Sequence, residues 1–447
     1  MKTTTTFCVF LLSFSMTVFS QNSSDEKTNS TPASNFCKTS EVMEEYYKAN
    51  PQAKIENEAL EAFTAEYAKN RLSNTSDKNA KTSAVAKYRI PVVFHVYGNN
   101  FWGKTLTDAQ IINALAETNK DIQGLQADYA TVNTNFAAVK STIDLSFELA
   151  KLDPNGNATT GIDRKTTTGA GYAKSTGYDA QIAADAWDNK KYFNVYIVKD
   201  LNNDGVSTNS GVCYFPDVLM TNSKTARCVY NGQYLGTNTN GEFRSVLTHE
   251  FGHFLNLRHT FENGCNAPGD YVDDTPFHSS TTLGCPSSQT SNTPVSNCGS
   301  WVINSENFMD YNGCNSCYKN YTKGQVARME AALNLNNVSR FPLWQTSNLV
   351  ATGLLSGVNI NENNSMANID LYPNPTDGIF QLDISGKNAG QYQYEITDVV
   401  GKIIFSEKFS NNPLHIQQIS LLNQSQGLYF LHLTGENCDK TIKIIKQ

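Results

Sequence analysis

Residues 248–259, Thr-His-Glu-Phe-Gly-His-Phe-Leu-Asn-Leu-Arg-His, have the residue types and spacing best suited to chemistry in this chain. On a helix, residues four apart share one face, so His249 and His253 can direct two imidazole nitrogens at one point. His259 is the natural third ligand if the chain turns back soon after His253, and three protein nitrogens leave a zinc ion one open position for water. Glu250 is placed to take a proton from that water and to pass it later to a leaving group.

The helix that must position these groups has an apolar face and a stop signal. Leu247, Phe251 and Phe254 recur at spacings of four and three, which is typical of a helix packed on a core. Asn256 tolerates the left-handed conformation that ends helices, so a turn there can bring His259 to the metal. The competing interpretation is an amphipathic helix with incidental histidines or an inactive copy. The metal site is favoured because the chain has only seven histidines, and three of them fall in residues 249–259.

Residues 306–311, Glu-Asn-Phe-Met-Asp-Tyr, form a second motif, in which Met309 lies in a predicted tight turn and Tyr311 follows two positions later. Together with residues 248–261 and the Asp-Tyr-Val-Asp-Asp-Thr-Pro run at 270–276, this motif resembles the metzincin metallopeptidases, most closely the pappalysin family. The resemblance implies that Met309 lies beneath the metal and that Tyr311 helps to hold the metal or the oxyanion of the tetrahedral intermediate. Asn256 departs from the pattern, which usually has Gly at this position.

The function that the resemblance implies is a secreted zinc metalloendopeptidase, made as a latent zymogen, that hydrolyses polypeptide substrates with a metal-activated water. We expect a monomer. Ser316 stands where relatives that prefer Arg or Lys after the cut have an acidic residue, so that preference is not expected here. The alternative is a surface adhesin with a catalytically idle metzincin domain. An intact Glu250 counts against the adhesin because a binding module has no need for this carboxylate.

Length and charge limit the remaining function classes. A chain of 447 residues is long enough for two or three domains, and a hydrophobic content of 39% suffices for ordinary cores. The formal net charge of -7 argues against nucleic acid as a partner, because phosphate binding requires a basic face and none is visible in the sequence.

The N-terminus has the pattern of a secretory signal. Met1-Lys2 precedes an apolar run at 7–14, and small residues follow near position 20, which predicts a signal peptide over residues 1–20. The apolar run is too short for a transmembrane anchor, and no later segment has eighteen uninterrupted apolar residues. We therefore expect export without a membrane anchor.

Residues 21–83 are polar and rich in Lys and Glu, with helical patterns at 41–49 and 55–71, and we interpret them as a propeptide. Cys37 is the lone cysteine of this segment. Because a thiolate is a strong zinc ligand, Cys37 can fill the open fourth position until the propeptide is cut away, a latency role that the pappalysin resemblance also implies. A disulfide from Cys37 to Cys314 or Cys438 is the competing interpretation.

Residues 84–345 are predicted to form the catalytic domain. Apolar, β-branched runs predict strands at 90–97, 143–152 and 192–199, and a Thr107/Gln110 capping box predicts a helix that extends to about 123. Residues 211–215 are the candidate edge strand for binding extended substrate. The expected fold class is α+β, with a twisted mixed sheet, a long zinc helix and an irregular lower subdomain.

Five cysteines, Cys265, Cys285, Cys298, Cys314 and Cys317, crowd into the segment after the zinc helix. In an oxidising compartment this spacing predicts disulfides that pin a loop-rich subdomain, and a second zinc site is the competing interpretation. The pappalysin resemblance implies the pairs Cys265–Cys298 and Cys285–Cys317. We also predict that Cys213 and Cys228 pair and close a hairpin.

Asp270, Asp273 and Thr275 can offer hard oxygen ligands within six residues. The resemblance implies a calcium ion here as a second cofactor beside zinc. A hydrogen-bonded acidic turn explains the same residues without a metal.

The C-terminal part has a different texture. Residues 346–366 have the Gly, Ser and Asn bias of a linker, and six short alternating strands within residues 367–447 predict a small all-β sandwich. The Leu-Tyr-Pro-Asn-Pro opening at 371–375 and the strand at 427–431 resemble the C-terminal sorting domain of type IX secretion cargo. The resemblance implies export across both membranes to the medium or the cell surface, with the secretion machinery as a partner. An ordinary carbohydrate- or protein-binding sandwich is the competing interpretation.

Overall fold

The computed structural model of the protein describes residues 37–73, 86–235, 244–279, 285–291, 293–311, 317–335, 340–355, 369–384, 390–399, 401–411, 416–435 and 438–447. The predicted signal peptide lies outside these residues, as do Cys314 and Ser316.

Helices of the described residues are α1 Thr39–Ala49, α2 Pro51–Ser73, α3 Asp108–Ile122, α4 Asp179–Asp185, α5 Val218–Asn222, α6 Val246–Phe254, α7 Lys323–Asn334 and α8 Thr346–Ala351. The strands are β1 Tyr88–Tyr97, β2 Asn100–Phe101, β3 Lys104–Thr105, β4 Lys140–Ser141, β5 Leu145–Leu149, β6 Ile162–Lys165, β7 Phe193–Val198, β8 Gly211–Cys213, β9 Cys228–Asn231, β10 Tyr321–Thr322, β11 Asp370–Tyr372, β12 Ile379–Asp383, β13 Gly390–Asp398, β14 Ile403–Asn411, β15 Ile416–Ser420, β16 Gly427–Gly435 and β17 Cys438–Lys446.

The sheet of the predicted catalytic domain has the strand order β5-β1-β7-β9-β8, with β6 also paired to β1. Every pair in it is parallel except β8–β9, which is antiparallel and leaves β8 at the edge. The capping box that starts α3 is present, because the Thr107 hydroxyl accepts from the Gln110 N–H and the Gln110 side chain accepts from the Thr107 N–H.

Helix α6 packs on this sheet through aromatic rings. Phe147 of β5 and Phe193 of β7 meet Phe251 and Phe254 of α6, with ring centroids 3.6–6.3 Å apart. Phe251 and Phe254 belong to the apolar stripe read from the sequence, and Leu247, its third member, is also buried. Burial of the stripe fixes which face of α6 is left for His249 and His253.

Helices α1 and α2, which belong to the predicted propeptide, lie against the predicted catalytic domain. Val42, Met43 and Tyr46 of α1 belong to a buried cluster that also contains Val212 and Phe215. Helix α2 lies along α7, where the Arg71 guanidinium forms a two-point ion pair with Glu330.

The C-terminal domain consists of a three-stranded sheet, β11-β12-β15, and a four-stranded sheet, β14-β13-β16-β17. All pairs in these two sheets are antiparallel, and alternate residues of β13 and β16 face a common core. The predicted all-β sandwich is therefore confirmed, with β11 in addition to the six predicted strands. The fold class α+β is also confirmed.

Two details of the sequence prediction are corrected. Residues 346–351, predicted as the start of a linker, form helix α8, because Asn348 donates to the carbonyls of Lys191 and Leu343 and ties the segment to the catalytic domain. Cys213 and Cys228 are not bonded to each other, although they face one another across β8 and β9. Directly opposed residues on paired strands have Cβ atoms about 4.5–5.5 Å apart, whereas a disulfide needs about 3.5–4.5 Å.

Among the described residues, no helix is both long enough and apolar enough to cross a membrane.

Candidate metal centre

Helix α6 ends where the sequence predicted, and its end shapes the metal centre. Asn256 has a φ of 70°, and the Leu257 N–H donates to the Gly252 carbonyl at 3.0 Å. This left-handed turn reverses the chain and returns His259 to the two helical histidines. The three imidazole rings lie with centroids 4.7–5.2 Å apart.

Four side chains converge on one point in the described part of the chain. The ligand atoms of Cys37, His249, His253 and His259 all lie within 4.8 Å of one another, and all four residues are buried. The Nε2 atoms of His249 and His253 are 3.2 Å apart, and Cys37 Sγ is 3.4 Å from His253 Nε2. A tetrahedral zinc ion places two ring nitrogens about 3.3 Å apart and a nitrogen and sulfur about 3.5 Å apart, so these two distances fit zinc.

The protonation of the rings supports the same fit. Nδ1 of His249 donates to the Phe308 carbonyl at 2.6 Å, and Nδ1 of His253 donates to the Leu257 carbonyl at 2.8 Å. Burial lowers the pKa of His249 to about 4 and that of His253 well below its usual value, which keeps both rings neutral. Each ring therefore carries its proton on Nδ1, and two Nε2 lone pairs face each other at 3.2 Å. This arrangement is repulsive unless a cation lies between the two atoms.

Glu250 is fully buried beside the three histidines. Its Oε2 accepts from the Cys37 thiol at 3.6 Å, and its Oε1 has no hydrogen-bond partner among the described residues. Burial raises the pKa of Glu250 to about 8. Gly211 of β8 lies directly against the carboxylate, so that a Cβ at this glycine would stand 2.5 Å from Oε1. The Glu250 carboxyl group is thus held tightly between the edge strand and the predicted metal ligands.

Met309 and Tyr311 lie where the sequence predicted them, next to the histidines. Met309 is completely buried under α6, and a Cβ on Gly252 would come within 2.4 Å of its sulfur. The Tyr311 hydroxyl lies 3.2 Å from His259 Nε2 and donates to the carbonyl of Cys37.

Sequence reasoning missed a buried polar group beneath the centre. The Asp310 carboxylate accepts from the Thr260 hydroxyl at 2.9 Å, from the Tyr311 N–H at 2.7 Å, and lies 3.3 Å from His278 Nε2. It therefore ties together the residues that follow His259 and precede Tyr311. The only sequence signal for Asp310 was its position between Met309 and Tyr311. Its contact with His278 could not be predicted, because His278 lies outside both motifs in sequence.

The predicted calcium residues form a hydrogen-bonded turn. The Thr275 hydroxyl donates to both Asp270 oxygens at 2.8 Å, and Asp273 is exposed. The Thr275 oxygen is thus engaged with Asp270, as in the acidic turn that was the alternative interpretation.

Two disulfides, Cys265–Cys298 and Cys285–Cys317, pin the segment after the zinc helix. Cys37 and Cys438 are both buried, and the alternative disulfide between them is not formed.

Two family profiles match separate parts of the chain. Residues 176–334 match a family profile described as pregnancy-associated plasma protein-A, a peptidase family. This matched range contains all three histidines of the metal centre and both motifs read from the sequence, at 248–261 and 306–311. Residues 370–447 match the secretion system C-terminal sorting domain, so the C-terminal sandwich is a sorting domain, as predicted. The suspected family resemblance is confirmed for both parts, and a metallopeptidase of this family implies zinc.

Individual relatives agree with the family assignment. The chain is 37% identical over 155 residues to an extracellular metalloprotease of Sordaria macrospora and 38% identical over 151 residues to one of Neurospora crassa. Each match covers 32% of this chain and 49% of the relative, so the chain spans about half the length of these curated relatives. A promirolysin mutant from Tannerella forsythia is structurally similar, with a TM-score of 0.53, 25% identity, and coverage of 71% of this chain and 98% of that one.

Proposed function

We propose that the protein is a secreted, zinc-dependent endopeptidase that is made as a latent precursor. The observation that carries this proposal is the pair of Nε2 lone pairs of His249 and His253, 3.2 Å apart, with a third histidine and a buried carboxylate around them. An adhesin with an idle domain has no use for either the buried, unpaired Glu250 oxygen or the cation that the histidines require.

His249, His253 and His259 would hold zinc through ring nitrogens. When bound, zinc supplies a Lewis acid that lowers the pKa of water and withdraws charge from a carbonyl oxygen. Glu250 accepts the proton of the attacking water and returns it to the leaving amine, because its free oxygen lies in the same buried space. Tyr311 then donates its hydroxyl proton towards the developing oxyanion, once its present partner, the Cys37 carbonyl, has left. Met309 supports the rings from below.

Substrate binding would use the β8 edge. In the precursor this edge is occupied, since Cys37 forms a parallel bridge with Gly211, and the Cys213 N–H donates to the Thr39 hydroxyl at 3.1 Å. After the propeptide leaves, the same backbone groups are free to pair with an extended polypeptide that lies antiparallel to β8.

Latency would rest on Cys37. Its sulfur is 3.4 Å from His253 Nε2, it donates to Glu250, and its carbonyl accepts from Tyr311. One residue thus engages a metal ligand, the proton carrier and the oxyanion donor. If Cys37 held the zinc as a thiolate, with its proton passed to Glu250, it would exclude water, and the precursor would stay inactive until this residue is withdrawn.

Replacing Cys37 by Ala in the full-length chain tests latency. We expect the variant precursor to hydrolyse peptides before any processing and to mature early. Thr39→Ala, two residues on, disturbs the same segment without removing the thiol and is the matched control. Equal latency of the wild-type and Cys37→Ala precursors would refute the role of the thiol.

The proposal also covers the export route, the oligomeric state and a calcium ion. The sorting domain supports secretion through the type IX machinery as a partner, and we propose that the protein acts as a monomer. A calcium ion at Asp270, Asp273 and Thr275 remains a prediction, and the hydrogen bonds of that turn give it no support.

The decisive test of function compares the matured protein with its Glu250→Gln variant on casein. We expect turnover to fall by about 10³–10⁴-fold, because general acid–base catalysis is lost while the ligands stay in place. Zinc content should be unchanged. If both proteins degrade casein equally slowly, the enzyme proposal fails and the adhesin is favoured.

A further inference from the structure

A buried ion cluster joins the propeptide to the catalytic domain beside the metal centre. Glu61 of α2 accepts from the Arg328 guanidinium at 2.9 and 3.0 Å and from Arg258 at 3.4 Å. Burial alone would raise the pKa of Glu61, but the two guanidinium groups lower it. The cluster is therefore a site for a negative charge, and Glu61 is its present occupant.

The two arginines are held by the catalytic domain itself. Arg258 lies over the rings of Phe215 and Tyr271, 4.8 and 5.0 Å from the centroids, and Arg328 donates to the Asn256 carbonyl at 3.0 Å. Both would thus keep their positions when the propeptide leaves. The Arg258 Nε–H is buried and has no hydrogen-bond partner within the described ranges, so the site has a donor that Glu61 does not use.

A cavity connects this site with the metal centre. It has a volume of about 770 Å³ and is lined by Cys37, His259, Tyr311, Glu61, Arg258 and Tyr271, among others. A peptide that reaches the metal from this side would pass Arg258.

The register of β8 determines which part of a bound substrate would lie next to Arg258. Cys37, at the metal centre, is opposite Gly211, and Thr39 contacts Cys213. The chain therefore leads from the metal centre along β8 towards Phe215. Arg258 lies over the ring of Phe215. A substrate that runs antiparallel to β8 places the residues before its scissile bond along this side.

We propose that Arg258 and Arg328 form a subsite of the mature protein that binds an acidic side chain located N-terminal to the scissile bond, and that Glu61 occupies it in the precursor. This inference rests on the proposed peptidase function. Two guanidinium groups form charge-assisted bonds with a carboxylate that a neutral amide cannot match, so the subsite selects Glu or Asp over Gln or Asn.

The anion site can be tested without catalysis. Glu61→Ala in the full-length precursor opens a space next to both arginines, and we expect acetate to raise the Tm of this variant by about 2–4 °C with saturation. Acetamide and equimolar sodium chloride should not do so. Glu58→Ala is the matched control because Glu58 is an exposed residue of the same helix that lines the same cavity. Equal acetate effects on Glu61→Ala, Glu58→Ala and wild type would overturn the site.

Substrate preference is the second test. Matured wild-type protein is given peptide pairs that differ only by Glu or Gln at one of the three positions before the cut, and we expect kcat/KM to be about tenfold higher for Glu at one position. The ratio should fall to about one in Arg258→Gln, whereas Arg164→Gln, which loses a surface ion pair with Asp108, should keep it. Because each ratio is taken within one protein, a loss of folded material does not change it.

Different results refute the subsite and the peptidase function. Cleavage of both peptides without a Glu preference at any of the three positions overturns the subsite and leaves the peptidase function intact. Absence of cleavage of every peptide by the zinc-loaded wild type refutes the peptidase function and, with it, the substrate preference.

Discussion

The contact between Gly211 and Glu250 gives a sharp test of how Glu250, the proposed proton carrier, is positioned. A Cβ at Gly211 would lie 2.5 Å from Oε1, 2.6 Å from Cδ and 2.7 Å from Cγ of Glu250. Ordinary van der Waals contact begins at 3.4 Å, so in Gly211→Ala the carboxylate must retreat by about 0.9 Å. Glu250 is fully buried on a helix that is packed against the sheet, so backbone movement cannot easily absorb the displacement.

The expected loss follows from this distance. A misplacement of about 1 Å in a catalytic group can cost about 10²-fold in rate, so we expect kcat/KM of matured Gly211→Ala to fall by roughly 100-fold, or about 2.7 kcal/mol of activation free energy. Zinc content should be unchanged, because the three atoms nearest this Cβ position all belong to Glu250 and none to the histidines.

Peptide hydrolysis, measured with zinc content and Tm on the same samples, checks this prediction. Gly390→Ala is a suitable control, because a Cβ there meets nothing closer than 3.9 Å and the variant reports the cost of a glycine substitution without crowding. Wild-type kcat/KM in a folded, zinc-loaded Gly211→Ala protein would show that Glu250 is not held against β8, and the positioning argument would be wrong.

Three further predictions concern other parts of the site. Tyr311→Phe should lower kcat by about 10²-fold with zinc retained, since one oxyanion donor is lost; an unchanged kcat on peptide substrates would remove Tyr311 from the mechanism. Asp310→Asn should weaken zinc affinity by about 10–100-fold in competition with a chelating dye, because Thr260, next to His259, loses its charged hydrogen-bond acceptor, and wild-type affinity would contradict this. EGTA tests the proposed calcium ion at Asp270: a drop in the Tm of the zinc-loaded protein that calcium alone reverses would establish the ion, and an unchanged Tm would refute it.

The local elements of the site were predictable because their causes are local. The spacing of His249 and His253 follows from helix periodicity, and the left-handed conformation of Asn256 follows from its side chain. The Thr107/Gln110 capping box and the alternating strands of the C-terminal domain likewise depend on neighbours in sequence.

The remaining features depend on contacts between distant segments, which no local pattern encodes. Glu61 and Arg328 are 267 residues apart and meet only because α2 lies along α7. His278 reaches Asp310 through the fold of a disulfide-pinned loop. The wrong pairing of Cys213 with Cys228 arose for the same reason: sequence indicates a hairpin, but the separation of opposed side chains is a property of the assembled sheet.

X-ray absorption at the zinc edge of the purified precursor tests the central claim most directly. The arrangement of Cys37, His249, His253 and His259 predicts one sulfur at about 2.3 Å and three nitrogens at about 2.0–2.1 Å from a four-coordinate zinc ion. On maturation the sulfur should be replaced by a light atom while the three nitrogens remain. A precursor that binds no zinc, or binds it without imidazole nitrogens, would contradict the account.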